Sequence, residues 1–334
     1  MKIAEKLKSA GLDGFLLMLI LMVFLAFLWP APGSSGGTIS LKNAANLGIS
    51  VIFFFYGLRL SRSKLREGLN NGRLHAVVHL STFIFFPALA LLVKPLFAGE
   101  ENELLWLGVF YLACLPSTVS SAVVMVSIAR GNVPAAIFNA SVSSLAGVFL
   151  TPLLMSLALS SSGKMDYSEL GGIVGKLILQ VLLPVVVGMS LNKKWGSFAE
   201  KNKKRLRQFD QTVILLIVYT AFCDSFARGV FEGFGLMRLL FCLMGMFVLF
   251  FAVYGSIRFV CRRLGFNRRD TITATFCGSK KSLVHGTAMS RVLFPGLSSV
   301  GIILLPIMLY HALQLMLVSA IARKASKATA EGEE

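Results

Sequence analysis

The sequence predicts an all-α polytopic membrane protein of ten transmembrane helices, arranged as two inverted five-helix repeats with broken crossing helices 4 and 9. Three observations carry this reading. Apolar stretches of about 20 residues, long enough to span a bilayer, recur along the chain. Lysine and arginine gather in alternate connections between those stretches. Two stretches, one in each half, carry polar residues at their middle, the sequence pattern of a secondary transporter's binding site.

Composition sets the class. The 334 residues are 55% hydrophobic and 15% charged, with a mean hydropathy of +0.74, whereas soluble domains are about a quarter charged. No length remains for a separate soluble catalytic domain. The formal net charge is +17, but it clusters beside apolar segments as an orientation signal, and no basic groove-reading element points to nucleic acid. Cys114, Cys223, Cys242, Cys261 and Cys277 lie in or at the ends of apolar stretches without CxxC or Cys/His spacing. They read as small apolar residues rather than a disulfide framework or metal site. Lys2, Lys6 and Lys8 ahead of Phe15–Trp29 resemble a signal peptide. The long apolar core without a small-x-small cleavage site reads instead as the first transmembrane helix.

Apolar runs between turn and charge clusters give spans at 13–30, 42–60, 74–97, 104–129, 133–159, 170–192, 210–229, 237–261, 270–293 and 297–322. The basic connections are the N-terminus; Arg62, Lys64, Arg66 and Arg73; Lys193, Lys194, Lys201, Lys203, Lys204, Arg205 and Arg207; and Arg262, Arg263, Arg268 and Arg269. Arg323, Lys324 and Lys327 extend the pattern to the C-terminus, and the short turn at Arg130 falls on the same side. The opposite side carries Glu100, Glu101, Glu103 and the uncharged 31–40. Ten spans make this alternation consistent, with both termini cytoplasmic in a plasma or inner membrane, whereas nine or eleven would put a basic connection outside.

Ten spans divide into 1–162 and 163–334. Five spans per half insert the second half upside down relative to the first. The fourth member of each half is polar at its middle: Pro116, Ser117, Thr118, Ser120 and Ser121 in one, Gly278, Ser279, Lys280, Lys281 and Ser282 in the other. A Gly-containing turn (Gly131, Gly296) and a long apolar fifth member follow in both.

In span four, Pro116 removes a backbone donor, and the hydroxyls can serve the groups so freed. A kinked helix and an unwound, ligand-binding crossing are the two readings. In span nine, Lys280 and Lys281 lie too deep for both to snorkel to one interface, and neighbours on a helix diverge by about 100°. A surface loop is the bland alternative to a broken helix with a lysine facing a cavity. A half-helix beginning near Ser282 would add positive potential from its amides and favour a carboxylate. Asp224, the one acid well inside a span, either pairs with a lysine of span nine or is solvated near the outer interface. His79, Thr82 and Gln180 are candidate cavity groups, His79 rather as a packing residue than a proton carrier. His285 and His311 are less informative, and Asn139 and Ser141, opening span five, more so.

The run ARGNV at 129–133, the preceding Pro/Ser/Thr break and NASVSS at 139–144 resemble the bile acid:sodium symporter family. The ten-span pattern with interrupted fourth and ninth helices extends the likeness over nearly the whole chain. The resemblance implies a panel domain from spans 1, 2, 6 and 7, a core domain from spans 3–5 and 8–10, and an organic anion bound between them. It also implies crossed broken helices, with sodium held by a glutamate and glutamine of span nine and an asparagine of span four. Here Phe276 or a neighbour stands near that glutamate, Lys280 near the glutamine, Ser121 near the asparagine, and Thr82 near a glutamine of span three. An ammonium group repels sodium, so the departures imply a lysine standing in part of the sodium space.

The expectation is therefore a secondary transporter of a small organic anion, seated in the lipid bilayer, without cofactor and with Na+ as a candidate coupling ion. Its candidate substrate and ion residues are Thr82, Ser117, Thr118, Ser120, Ser121, Asn139, Ser141, Ser279, Lys280, Lys281 and Ser282, with Ser121 and Asn139 as candidate sodium ligands. Retained sodium coupling through carbonyls and hydroxyls is the alternative within the family. An intramembrane enzyme needs paired acids, a metal cluster or a nucleophile–base pair, none of which the sequence supplies. A channel needs pore-lining charge rings or filter-like carbonyl motifs, and a scaffold that has lost its cargo would keep the same shape.

Overall fold

Polar interruptions and capping side chains decide where the apolar stretches stop. The computed structural model describes residues 14–34, 40–59, 71–97, 99–161, 172, 175–176, 178–232, 234–295 and 297–330. All regular structure among the described residues is helical. In chain order it comprises α1 (Gly14–Leu28), α2 (Ala31–Ser34), α3 (Leu41–Arg59), and α4 (Gly72–Leu80) running through a π turn (Ser81–Phe85) into α5 (Phe86–Leu92). A 3₁₀ turn (Lys94–Phe97) leads to α6 (Glu100–Cys114), α7 (Ser120–Ile128) and α8 (Val133–Ser161). A π segment (Ile178–Leu182) then opens α9 (Leu183–Lys201), followed by α10 (Lys203–Ala227) and α11 (Leu236–Arg263). The chain closes with α12 (Arg268–Gly278), α13 (Leu283–Leu293) and α14 (Val300–Ala330). Lys2, Lys6, Lys8, Arg62, Lys64, Arg66, the stretch 35–39, Gly296 and the boundary between the two halves lie outside the described residues.

Among the described residues six helices are long and apolar enough to cross a membrane: Leu41–Arg59, Gly72–Leu92, Val133–Leu157, Lys203–Ala227, Leu236–Arg263 and Val300–Ser326. The protein is multi-pass. Along α11, Leu236, Met237, Leu240, Phe241, Met244 and Val248 are exposed, an apolar stripe that in a membrane protein meets lipid tails. The predicted spans four and nine are each split in two, at 115–119 and 279–282. One expectation fails: the basic stretch between spans six and seven is not a loop. Helix α9 runs to Lys201 and α10 starts at Lys203, because Lys, Arg, Glu and Gln are good helix formers and the helices continue beyond their apolar parts.

Packing falls into two groups. Helix α9 lies along α3, and α10 packs on α1 and α3. Gly57 and Gly188 allow the first contact: a Cβ on Gly57 would strike the Val185 carbonyl, and one on Gly188 the Phe54 carbonyl, the small-residue route to close helices in a bilayer. Two ion pairs join opposite ends of the antiparallel α3 and α10, Lys42–Asp224 at 2.7 Å and Arg59–Asp210 at 2.8 Å. Asp224 thus pairs with α3, neither with a lysine of span nine nor solvated alone. In the second group α14 packs on α6, α11 on α12 and α14, and α12 on α4, α7 and α8. The groups meet where α10 touches α13 and α14.

Candidate substrate and ion site at two interrupted helices

Helix α6 ends because Leu115 precedes a proline and is extended (φ −70°, ψ 151°). Its last carbonyls have no helical partners, and each finds another. Leu112 accepts from the Leu115 amide at 3.1 Å, and Cys114 from the Thr151 hydroxyl at 2.7 Å. Ala113 and Leu115 accept from Lys281 Nζ at 2.6 and 2.9 Å. Pro116 accepts from the Ser282 amide at 2.9 Å. The Ser117 amide donates to Ser143 Oγ at 2.9 Å. Gly147 brings α8 against this break, since a Cβ there would lie 2.6 Å from the Pro116 ring.

The second break is bound as thoroughly. The Ser117 hydroxyl donates to the Cys277 carbonyl at 2.6 Å, and the Ser279 hydroxyl to Thr275 at 2.6 Å. From α14, Tyr310 donates to the Ser279 carbonyl at 2.6 Å. Gln314 takes both backbone groups of Lys281, accepting from its amide and donating to its carbonyl, each at 2.8 Å. Ser282 Oγ caps α13 by accepting from the His285 amide. Buried backbone polar groups need such partners, and here side chains supply them.

The third carbonyl on Lys281 Nζ, Thr82 at 2.8 Å, comes from the π turn. In that turn Phe86 N–H bonds the Ser81 carbonyl, five residues back. The next such bond would run from residue 87 to Thr82, but residue 87 is proline and has no N–H. Lys281 fills this vacancy, and its ammonium stands 4.1 Å from the centroid of the Phe86 ring. Three carbonyls and an aromatic face surround a fully buried charge, the compensation that such burial demands. Lys280, one residue earlier, is equally buried, yet its Nζ has no hydrogen-bond partner among the described residues. Adjacent positions point apart, as the sequence predicts, and only one ammonium is caged.

The structure thus brings Thr82, Ser117, Ser279, Lys281 and Ser282 together. Thr82 contributes its carbonyl, its hydroxyl being bonded to Val78 at 2.8 Å. Thr118 and Ser121 share a hydrogen bond of 2.9 Å beside the first break, and the side chain of Ser120 is outside the described set. Asn139 bonds elsewhere, to His75 Nδ1 at 3.1 Å and the Ala135 carbonyl at 2.8 Å. Ser141 offers its carbonyl to Tyr56 at 3.1 Å. Neither ring nitrogen of the half-buried His79 has a partner among the described residues. Sequence reasoning missed Pro87, Ser143, Thr151, Tyr310 and Gln314. The available signals were the proline five residues after Thr82 and two polar tips, Tyr310 and Gln314, one helical turn apart on an apolar helix.

The ARGNV turn has its own geometry. Arg130 takes a left-handed conformation (φ 55°), and Asn132 reaches the Asp270 carboxylate at 2.8 Å. Asn71 and Asn267 reach the same carboxylate at 3.0 and 2.9 Å. One buried acid therefore ties the starts of α4, α8 and α12.

The family described as SBF-like CPA transporters matches residues 13–327. The chain is 41% identical over 319 residues to the "Putative symporter YfeH" of Escherichia coli, covering 95% of this chain and 94% of that one. It is similar to proteins named sodium/bile acid cotransporter 7: 32% identical in Danio rerio over 315 residues, 92% of each chain, and 31% in Mus musculus over 319 residues, 94% of this chain and 93% of the other.

Proposed function

Because the chain belongs to the SBF-like CPA transporter family, a family of carriers rather than enzymes, we propose that it is a secondary transporter of a small organic anion working by alternating access. The proposal includes ten spans in two inverted repeats, 1–162 and 163–334, with both termini cytoplasmic. The group containing α1, α3, α9 and α10 serves as panel and the group around the breaks as core, a division their packing supports. Movement of one against the other exposes the crossing region to each side in turn.

The single observation carrying the coupling reading is the Lys281 ammonium among the carbonyls of Thr82, Ala113 and Leu115. Carbonyl oxygens converging on a positive charge are what a bound alkali cation requires. Lys281 is a tethered cation in that position, and transport proceeds without a sodium gradient. Lys280, buried without a partner among the described residues, faces the substrate path.

A second reading is sodium coupling, favoured by the relatives named as sodium/bile acid cotransporters. Sodium would then be held by backbone carbonyls with Ser117, Thr118, Ser120, Ser121, Asn139 and Ser141. Uptake of labelled carboxylates and sulfates into proteoliposomes, under imposed sodium, proton or no gradient, separates the two. Saturable uptake indifferent to sodium is expected, lost in Lys281→Gln. Uptake rising steeply with the sodium gradient would overturn the tethered-cation reading and favour the second.

A further inference from the structure

A cavity of about 420 Å³ lies where α3 and α9 begin, α10 ends, and α13 gives way to α14. Its volume is in the range of small-molecule sites. It is separate from the lysine cage: Arg291, on its wall, stands about 12 Å along α13 from Leu283, eight residues at 1.5 Å each. Among the described residues four cationic side chains line it, Lys42, Lys176, Arg228 and Arg291, against one carboxylate, Asp224, which Lys42 already holds at 2.7 Å. Apolar side chains share the lining: Val292, Phe294, Pro295 and Leu297, on the segment that follows Arg291. A cavity lined by both surplus positive charge and apolar side chains suits an oxyanion carried on an apolar body.

Arg291 occupies a special place in it. Its Nη2 donates across the seam between the two helix groups, to Thr220 Oγ1 and the Ile217 carbonyl of α10. Its Nε is buried without a partner among the described residues. A guanidinium has five N–H donors in a planar fork, suited to a carboxylate or sulfonate, and in this state the fork is committed to α10 on one edge only. We propose that this cavity binds the acid group of an amphipathic organic anion, and that Arg291 exchanges its bonds to α10 for that anion, loosening the seam when the site is loaded. The inference rests on the transporter reading, to which it adds a location, a ligand chemistry and a residue linking occupancy to movement.

The test reads local charge rather than transport. Asn46→Cys places a thiol on the cavity wall, while all five native cysteines are buried. The full chain in phosphatidylcholine nanodiscs is labelled with anionic and cationic methanethiosulfonates, and rates are normalised to a free thiol. The anionic reagent is expected to be favoured about ten-fold, and Lys176→Gln/Arg228→Gln to cut that preference by about five-fold. Sub-micellar cholate should slow labelling and its neutral methyl ester should not. Thr220→Val, which removes one of the two bonds from Arg291 to α10, should lower the cholate concentration giving half protection. Indifference to reagent sign, or protection by phosphatidylglycerol but not cholate, would overturn the site; an unchanged half-protecting concentration in Thr220→Val would overturn the exchange. If labelling and protection behave as expected while proteoliposomes take up nothing, the transport reading fails and the site stands.

Discussion

The Ser282 amide donates to the Pro116 carbonyl at 2.9 Å, joining the two broken helices backbone to backbone. Each break therefore supplies partners for the other. Pro116 leaves carbonyls without helical donors, and the second break provides Lys281 Nζ and the Ser282 amide to them. In return, the first break's Ser117 hydroxyl donates to the Cys277 carbonyl. Neither interruption is satisfied alone, so damage to either is expected to propagate to both.

Lys281→Met keeps the length of the side chain but removes three donors from buried carbonyls. An unsatisfied buried acceptor costs about 1–3 kcal/mol, so the loss should be on the order of 3 kcal/mol or more, and transport should disappear. Pro87→Ala restores the N–H that Thr82 lacks. In the Lys281→Met background it should recover about 1 kcal/mol, the worth of one hydrogen bond. Thermal denaturation of the four proteins in a double-mutant cycle measures this coupling. Strict additivity would show that Pro87 and Lys281 do not serve the same carbonyl.

Asp270 is buried and accepts from three asparagine amides. Asp270→Asn turns one oxygen into a donor facing other donors. The expected loss is about 3 kcal/mol, since hydrogen bonds to charged groups contribute about 1.5–3 kcal/mol each. It should appear as a melting temperature lower by several degrees. Asn71→Ala and Asn267→Ala each remove a single donor and should cost less than Asp270→Asn.

Much of this was legible from residue types alone. Lysines at 280 and 281 and a proline at 116 mark the breaks because charge and a missing N–H are conspicuous in apolar runs. Which lysine is caged was not legible, because rotation of a broken helix depends on its neighbours. The role of Pro87 depends on a π turn, which leaves no mark in hydropathy. Gln314 and Tyr310 lie 33 and 31 residues from the backbone groups they bond in the second break, and periodicity carries no information over such separations. Lys42 and Asp224 are 182 residues apart, so their pairing emerges only when α3 and α10 lie side by side.

The Lys42–Asp224 pair holds α3 to α10, but its side chains are 27% and 16% exposed. Solvent screening discounts such a pair, and a double-mutant cycle with Lys42→Ala and Asp224→Ala should give no more than about 1 kcal/mol. A coupling several times larger would mean that the pair is shielded from water.

Close packing should matter more to this helix group than charge. A Cβ at Gly188 would meet the Phe54 carbonyl and lie 2.8 Å from the Leu58 amide. Backbone atoms yield little, so Gly188→Leu must push α9 away from α3, and overpacking typically costs about 1–3 kcal/mol or more. Reduced yield of monodisperse protein by size-exclusion chromatography is expected, with Gly188→Ala milder. Normal yield and melting temperature for both would show that the helices are not held this tightly.

Gln314 offers the sharpest test of how the second break is held. Its amide both accepts from and donates to the backbone of Lys281, a pairing that no other amino acid of similar size reproduces. Gln314→Leu fills the volume but strands a buried N–H and a buried carbonyl, about 1–3 kcal/mol each. Gln314→Glu retains the acceptor for the amide; ionised, it has no donor for the carbonyl. Both variants should melt lower than the native protein, with Gln314→Leu lower still, and both should loosen Lys281. The discriminating measurement is hydrogen exchange over residues 279–283: protection should fall in both variants and least in Gln314→Glu. Unchanged exchange there in Gln314→Leu would mean that the crossing is held without α14.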